Sequence, residues 1–269
     1  MLINQKFKKH LKYASSRFSH WIAKFSVLIG IFAVIPLQNY LSCLALICIV
    51  LAIFALAFII PLVGSYILKE FRISTIGKST VTLKFDDLLE QDCFVITTNL
   101  NFDVEPDEKY ISSLSLLAKF VKMYYPNDIS LLKQEIQKQL SVPKNRQIKP
   151  RDYGTTVRID KESKIIYLMA FTDRNKNDQP EDFYITSIRE FFKTIANENH
   201  GRVVSVPLFG SNNNLSNSGF MSKSMALESL LTMIHVFEIE NQRSELKFQI
   251  VVLPEDRAEI IDTVAKYAR

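Results

Sequence analysis

The chain has 269 residues, 48% hydrophobic and 23% charged, with a formal net charge of +5. That balance excludes collagen-like, disulfide-stapled and wholly disordered chains and leaves room for one or two domains. Of three cysteines, Cys43 and Cys48 sit in an apolar run and Cys93 begins another, so they form no framework and fit a reducing compartment. Through Arg72 there are eight Lys/Arg against Glu70 alone, and beyond it 25 Lys/Arg against 27 Asp/Glu. The basic isoelectric point therefore belongs to the first quarter, and no nucleic-acid partner is expected for the rest.

Residues 1–20 read as a basic cytosolic arm. The 44 residues from Phe25 to Leu68 contain no Asp, Glu, Lys, Arg or His. As helix they make a path of about 66 Å, roughly twice a hydrocarbon core of about 30 Å. Pro36, Gln38, Asn39 and Tyr40 supply the polar turn inside the run. Two transmembrane helices are expected within 21–68, Trp21 to Leu37 and Leu41 to Ile67, with Trp21 and Lys24 anchoring at the interface. The apolar region is too long for a cleaved signal peptide and lacks a small-residue cleavage site. Basic residues flank the pair on one side and the connecting turn has none, so both termini are expected in the cytoplasm of a multi-pass inner-membrane protein. Phe7 to Trp21 interleaves Lys with Phe, Leu and Tyr, as either an interfacial helix on anionic headgroups or a topology signal does.

After a linker at 69–79, residues 80–269 switch to short β-rich runs separated by amphipathic stretches, the pattern of an α/β domain with helices packed on a sheet. Strands are expected near Val81–Phe85, Cys93–Thr98, Thr155–Ile159, Lys164–Phe171, Arg202–Val206 and Lys247–Leu253. The clearest helices are Ile111–Tyr125, Ile129–Leu140, Asp182–Glu198, Ser218–Glu240 and Pro254–Tyr267.

Three connections invite a ligand. Thr97 to Asp103 ends a buried strand in a polar loop that holds Asn99, Asn101 and Asp103. Ser141 to Tyr153 carries two prolines and Lys144, Arg146, Lys149 and Arg151. Pro207 to Ser216 joins a strand to a helix, the place where open α/β sheets bind ligands. There Gly210 lets the backbone turn, Ser211 and Asn212 to Asn214 offer amides and hydroxyls to phosphate oxygens, and Ser218 opens a helix whose dipole favours an anion. No Walker lysine is present, and Asn- and Ser-rich turns that merely cap a helix are common.

In this order the segments resemble a macro domain, the ADP-ribose-binding α/β module, across Val81 to Ala268. Phe85 to Leu88 resembles the segment in which that family holds adenine by an aspartate, and Val95 to Asn99 its strand ending in an asparagine near the distal ribose. Gly154 to Thr156, followed by Ile165 to Ala170, resembles its central hairpin, and Val204 to Gly210 its strand into the second phosphate loop. With two spans in front, the architecture is similar to the membrane-bound macro-domain effectors of type II Thoeris antiviral defence. The implied fold is a macro-domain-like mixed sheet flanked by helices behind a two-helix transmembrane hairpin.

The resemblance also implies an activity. A TIR-domain partner enzyme makes an ADP-ribose derivative, the macro domain senses it, and occupancy drives homo-oligomerisation and membrane disruption in the infected bacterium. Asp87 is implied for adenine, Asn99, Asn101 and Asp103 for ribose or a variable group, and Gly210, Ser211, Asn212, Asn213 and Leu215 for diphosphate, with Pro207 also among the ligand-binding residues. Gly154 and Thr155 line the same cleft, or simply start a hairpin. The first glycine-rich phosphate loop is missing, since no glycine follows Asn99 until Gly154. That departure weighs against a hydrolase, which needs a tightly held diphosphate.

The four histidines, His10, His20, His200 and His235, have no metal-ligand spacing, and neither a serine elbow nor a carboxylate dyad stands out. No catalytic residue, metal or cofactor is therefore expected. The leading expectation is a ligand sensor held in the lipid bilayer; a tethered hydrolase of ADP-ribose adducts is the alternative, and a scaffold for a protein partner a third reading.

Overall fold

A strand with both faces covered must be apolar along its whole length, and Cys93–Asn99 is buried at every position except Thr97. In a computed structural model of the chain it is β3, an interior strand of a seven-stranded sheet. Residues 2–34, 43–73, 78–105, 113, 115–143, 148–173, 182–211, 221–241 and 245–267 are described. The chain forms two units, Arg72–Pro254 and a second made of Met1–Phe71 with Glu255–Arg269.

The strands are β1 (Glu70–Ile73), β2 (Thr80–Phe85), β3, β4 (Thr156–Lys161), β5 (Lys164–Thr172), β6 (Val203–Val206) and β7 (Lys247–Val252), in spatial order β1-β2-β7-β6-β3-β5-β4. From β2 to β5 neighbouring strands run parallel, and β4 closes the edge antiparallel to β5. The sheet is thus mixed and flanked by helices, as expected from sequence. β1 lies inside the stretch read as a linker.

Helices α3 (Leu116–Tyr124), α4 (Ile129–Gln139), α5 (Phe183–Glu198) and α6 (Lys223–Glu240) fill the connections. Ser115, Asp128 and Ser222 cap three of them by accepting from the backbone amides of Ala118, Leu131 and Met225. One core cluster joins β3, β4 and β5 to α3 and α4, with Phe94, Ile96, Phe120, Leu132 and Leu168 inside it. Phe192 of α5 meets Phe237 of α6 at 5.5 Å and Phe248 of β7 at 4.8 Å between ring centroids.

The other unit contains α1 (Leu2–Val34), α2 (Cys43–Ile67) and α7 (Arg257–Tyr267). Phe18 lies beside Phe54 and Phe58, and His10 beside Ser65 and Tyr66, so α1 and α2 run antiparallel. Among the described residues one stretch, Cys48–Ile67, is long and apolar enough to cross a membrane. The polar turn of Pro36 to Tyr40 lies outside the described residues, as do the side chains of residues 27–47. Phe7 to Trp21 is part of the continuous helix α1, and His10, Tyr13 and Ala14 on it are buried within the protein. That face is therefore not offered to headgroups. α7 groups with α1 and α2: Lys9 donates to the Glu259 carbonyl at 3.1 Å, Lys12 stands 3.7 Å from the Asp262 carboxylate, and Arg257 donates to the Ser65 carbonyl at 3.1 Å.

Candidate functional site

Because β2, β7, β6, β3 and β5 are parallel, the segments that follow Phe85, Val206 and Asn99 all emerge at one edge of the sheet. β4 runs the other way, so the residues before it, Gly154 and Thr155, reach that edge too; the Gly154 amide donates to the Ala170 carbonyl at 2.8 Å. Asp87, Pro207, Gly210, Ser211, Asn99, Asn101, Asp103, Gly154 and Thr155 thus lie along the carboxyl edge. The strand order sets Asp87 two strands from the loop after β6, roughly 10 Å at about 4.8 Å per strand. Asn212, Asn213 and Leu215 lie outside the described residues, as does Ser218.

The loop after β3 is held together by Asn99. Its side-chain carbonyl accepts from the backbone amides of Asn101 (3.1 Å) and Asp103 (3.0 Å), and its amide donates to the Asp103 carboxylate at 2.7 Å. The Leu100 amide donates to the Thr172 carbonyl and the Phe102 amide to the Asn99 carbonyl, both at 2.9 Å. Every backbone N–H from Leu100 to Asp103 is thereby used inside the fold. Phe102 takes a left-handed conformation with φ 53° and is buried in the core cluster with Leu100 and Val104. A phosphate nest needs unpartnered amides, so the backbone amides from Leu100 to Asp103 offer none.

The loop after β6 starts from a fixed root. Phe209 is buried, its ring 5.8 Å from Phe171 and 6.3 Å from Phe191. Gly210 follows with φ 77°, a conformation that favours glycine, and the Ser211 hydroxyl donates back to the Leu208 carbonyl at 2.7 Å. The helix fed by this loop begins at Lys223 with Ser222 as its cap, four residues beyond the Ser218 expected from sequence.

Asp87 is exposed, and one carboxylate oxygen accepts from the Leu89 amide at 2.9 Å, which caps a short 3-10 turn. Its neighbour Asp86 is the ion-paired residue, 2.7 Å from Lys84; that lysine holds its carboxyl below the usual range, helped by the Gln91 amide. Gly154, with φ 84°, is glycine because a Cβ there would stand 2.6 Å from the Glu190 Cβ and 2.7 Å from the Ser187 carbonyl oxygen. Its role is close packing of α5 against the edge.

Arg151 lies in one of the connections that invite a ligand but is not among the ligand-binding residues expected from sequence. Its backbone amide donates to the Leu100 carbonyl and its guanidinium to the Leu140 carbonyl, both at 2.9 Å, so Arg151 ties the segment before β4 to the loop after β3. Asn101 strengthens this link by donating to the Ile148 carbonyl at 3.0 Å. Positive charge within that stretch was the available signal. A cavity of about 320 Å³ lies at the opposite edge, near the β4–β5 turn. Of the cations that line it, Arg158 pairs with Asp160, Lys161 lies over the Tyr125 ring, and Lys164 donates to the Leu89 and Gln91 carbonyls.

The comparisons with known proteins bear on the family and the fold. The family model described as Thoeris protein ThsA, Macro domain, matches residues 81–253. No curated protein matches the chain. Among solved structures, a mutant Oceanobacillus iheyensis macrodomain is similar at 14% identity, covering 73% of this chain and 96% of that one with a TM-score of 0.52. A second mutant of the same macrodomain, with ADPR, is similar at 13% identity, covering 73% and 95% with a TM-score of 0.51.

Proposed function

Because the chain belongs to the macro-domain family of the Thoeris protein ThsA, we propose that it is a membrane-held sensor whose carboxyl-edge site binds an ADP-ribose derivative. The observation that carries this reading is the convergence of Asp87, the Gly210 loop and the Asn99 loop on one sheet edge. In this reading Asp87 accepts from the adenine amino group with the oxygen that does not cap the 3-10 turn. The Gly210–Ser211 segment holds diphosphate, and Asp103 and Asn101 face the ribose end. Asn99 acts through the loop it organises. The signal comes from a TIR-domain enzyme, and occupancy drives self-association and membrane disruption in anti-phage defence.

The basic first quarter, the apolar Cys48–Ile67 helix and the antiparallel α1–α2 pair support a two-span anchor in the bacterial inner membrane with both termini cytoplasmic. Calorimetry of the full chain in detergent against ADP-ribose and a panel of its derivatives tests the ligand. Saturable binding weakened by Asp87→Ala and by Gly210→Val is expected, and equal binding by both variants would move the site elsewhere. Chromatography of the ligand after incubation separates sensing from hydrolysis: the ligand is expected back unchanged, whereas its conversion to free ADP-ribose would establish the enzyme.

A further inference from the structure

The contacts between the antiparallel helices α1 and α2 fix their register. Phe18 stands beside Phe54 and Phe58, and His10 beside Ser65 and Tyr66. With equal rise on both helices, Arg17 stands level with about Ala57 and Lys24 with about Val50. Cys48–Ile67 is the stretch that, among the described residues, is long and apolar enough to cross a membrane. It therefore runs mostly beside Arg17, His20 and Lys24, ahead of the uncharged run that starts at Phe25.

Arg17, His20, Trp21 and Lys24 are spaced i, i+3, i+4 and i+7, which sets them on one face of α1. His10 and Tyr13 lie lower on the same side, where Ser65, Tyr66 and Phe71 cover it. That cover ends at the next turn: Arg17 and Trp21 are half-buried, and His20 and Lys24 are exposed. The Lys24 ammonium lies over the Trp21 ring, 4.9 Å from its centroid. At the same level α2 is bare on nearly every side, because from Cys48 to Leu56 every residue except Ile53 is exposed, Leu51 at 63% and Phe54 at 41%. Cations and an indole beside an exposed apolar surface match the two halves of a phospholipid, a phosphate above and acyl chains below. A second copy fits less well, since it brings the same positive charge to the face.

We propose that the Arg17–His20–Trp21–Lys24 face of α1 is a headgroup site for acidic phospholipid, with the phosphate against Arg17 and Lys24, His20 beside it, and the acyl chains along α2 from Val50 to Leu56. The inference rests on the membrane anchor proposed above and not on its nucleotide. Cations carried beside an apolar span are costly in hydrocarbon, so headgroups are drawn down to them and the leaflet thins around the pair. Acidic lipids answer that charge better than zwitterionic ones. The other cations on this part of α1 are placed differently: Lys9 and Lys12 meet the Glu259 carbonyl and the Asp262 carboxylate of α7. Lys8, nine residues before Arg17, lies on the opposite side of the helix at about 3.6 residues per turn.

Trp21 is the only tryptophan in the chain, so its fluorescence reports on this site alone. The full chain is reconstituted in phosphatidylcholine vesicles that carry, at equal mole fraction, either phosphatidylglycerol or phosphatidylcholine with brominated acyl chains. Brominated phosphatidylglycerol is expected to quench Trp21 about threefold more strongly than brominated phosphatidylcholine. Lys24→Gln is expected to reduce that ratio and Arg17→Gln with Lys24→Gln to bring it close to one, whereas Lys24→Arg and Lys8→Gln keep it. Equal quenching by the two lipids in the wild-type chain overturns the proposal and leaves the anchor standing. A loss in Lys8→Gln as large as in Lys24→Gln also overturns it, because the attraction then belongs to the net charge of the helix and not to this face. Quenching by neither lipid, with Trp21 emission that follows protein concentration instead, assigns the face to a second copy and defeats the anchor as well.

Discussion

Asn99 shows how a residue singled out for ligand contact can serve the site from behind. Both accepting positions of its side-chain carbonyl and one amide hydrogen are taken by Asn101 and Asp103. Asn99→Ala removes three hydrogen bonds and leaves two backbone amides without a partner, a cost of roughly 2–3 kcal/mol. Urea denaturation is expected to show that loss together with weaker ADP-ribose binding, and an unchanged midpoint would mean the loop is held by Phe102 and its neighbours instead. Gly154 shows the same with a backbone. Because a Cβ meets the Ser187 carbonyl oxygen and Glu190 Cβ, neither of which yields cheaply, Gly154→Ala is expected to destabilise the larger unit by about 3 kcal/mol or more, read as a lowered Tm. A polar loop after a buried strand was visible in the residues from Thr97 to Asp103. That its amides face inward was not, because the partners, Thr172 and the Asn99 side chain, are set by strand pairing and a bulge at Thr98/Asn99.

At the level of elements, composition carried most of the fold. β3 opens on the apolar run Cys93 to Ile96 and β5 is apolar from Ile165 to Phe171, because helices cover both faces, and such runs stand out in any sequence. β1 escaped because its four residues, Glu70 to Ile73, alternate exposed and buried beside the long apolar run and offer too short a period to read. The start of α6 was misplaced for another reason. Ser218 and Ser222 are both serines ahead of the same apolar stretch, and only the structure distinguishes them, through the Ser222 hydroxyl that accepts from the Met225 amide at 3.2 Å. Ser222→Ala should therefore cost about 1 kcal/mol. Hydrogen exchange is expected to show faster exchange confined to the first turn of α6, and equal exchange in both proteins would place the true cap upstream.

At the level of the whole chain, the larger unit is inserted between α2 and α7, and the chain passes back to the smaller unit at Glu255. Nothing in the residues of α7 announces this, since its buried Ile260, Ile261 and Val264 are what any helix covering a sheet would carry. The decisive partners are polar and distant in sequence. His10 is buried, hydrogen-bonded through Nδ1 to the Ser65 hydroxyl at 2.8 Å and stacked on Tyr66, and Arg257 holds the Ser65 carbonyl. Burial, reinforced by the Arg257 charge, pushes the His10 pKa below 6.5. With the folded value below the unfolded one, the unfolded chain binds the proton more readily, so stability is full above pH 6.5 and declines as pH falls toward the folded value. Thermal unfolding of the α1–α2–α7 unit, followed by hydrogen exchange of α1 amides, is therefore expected to weaken between pH 7.5 and pH 5. His10→Gln, which keeps a hydrogen-bonding side chain but cannot take up the proton, should flatten the profile, and an equally steep loss in that variant would assign the pH dependence to another group.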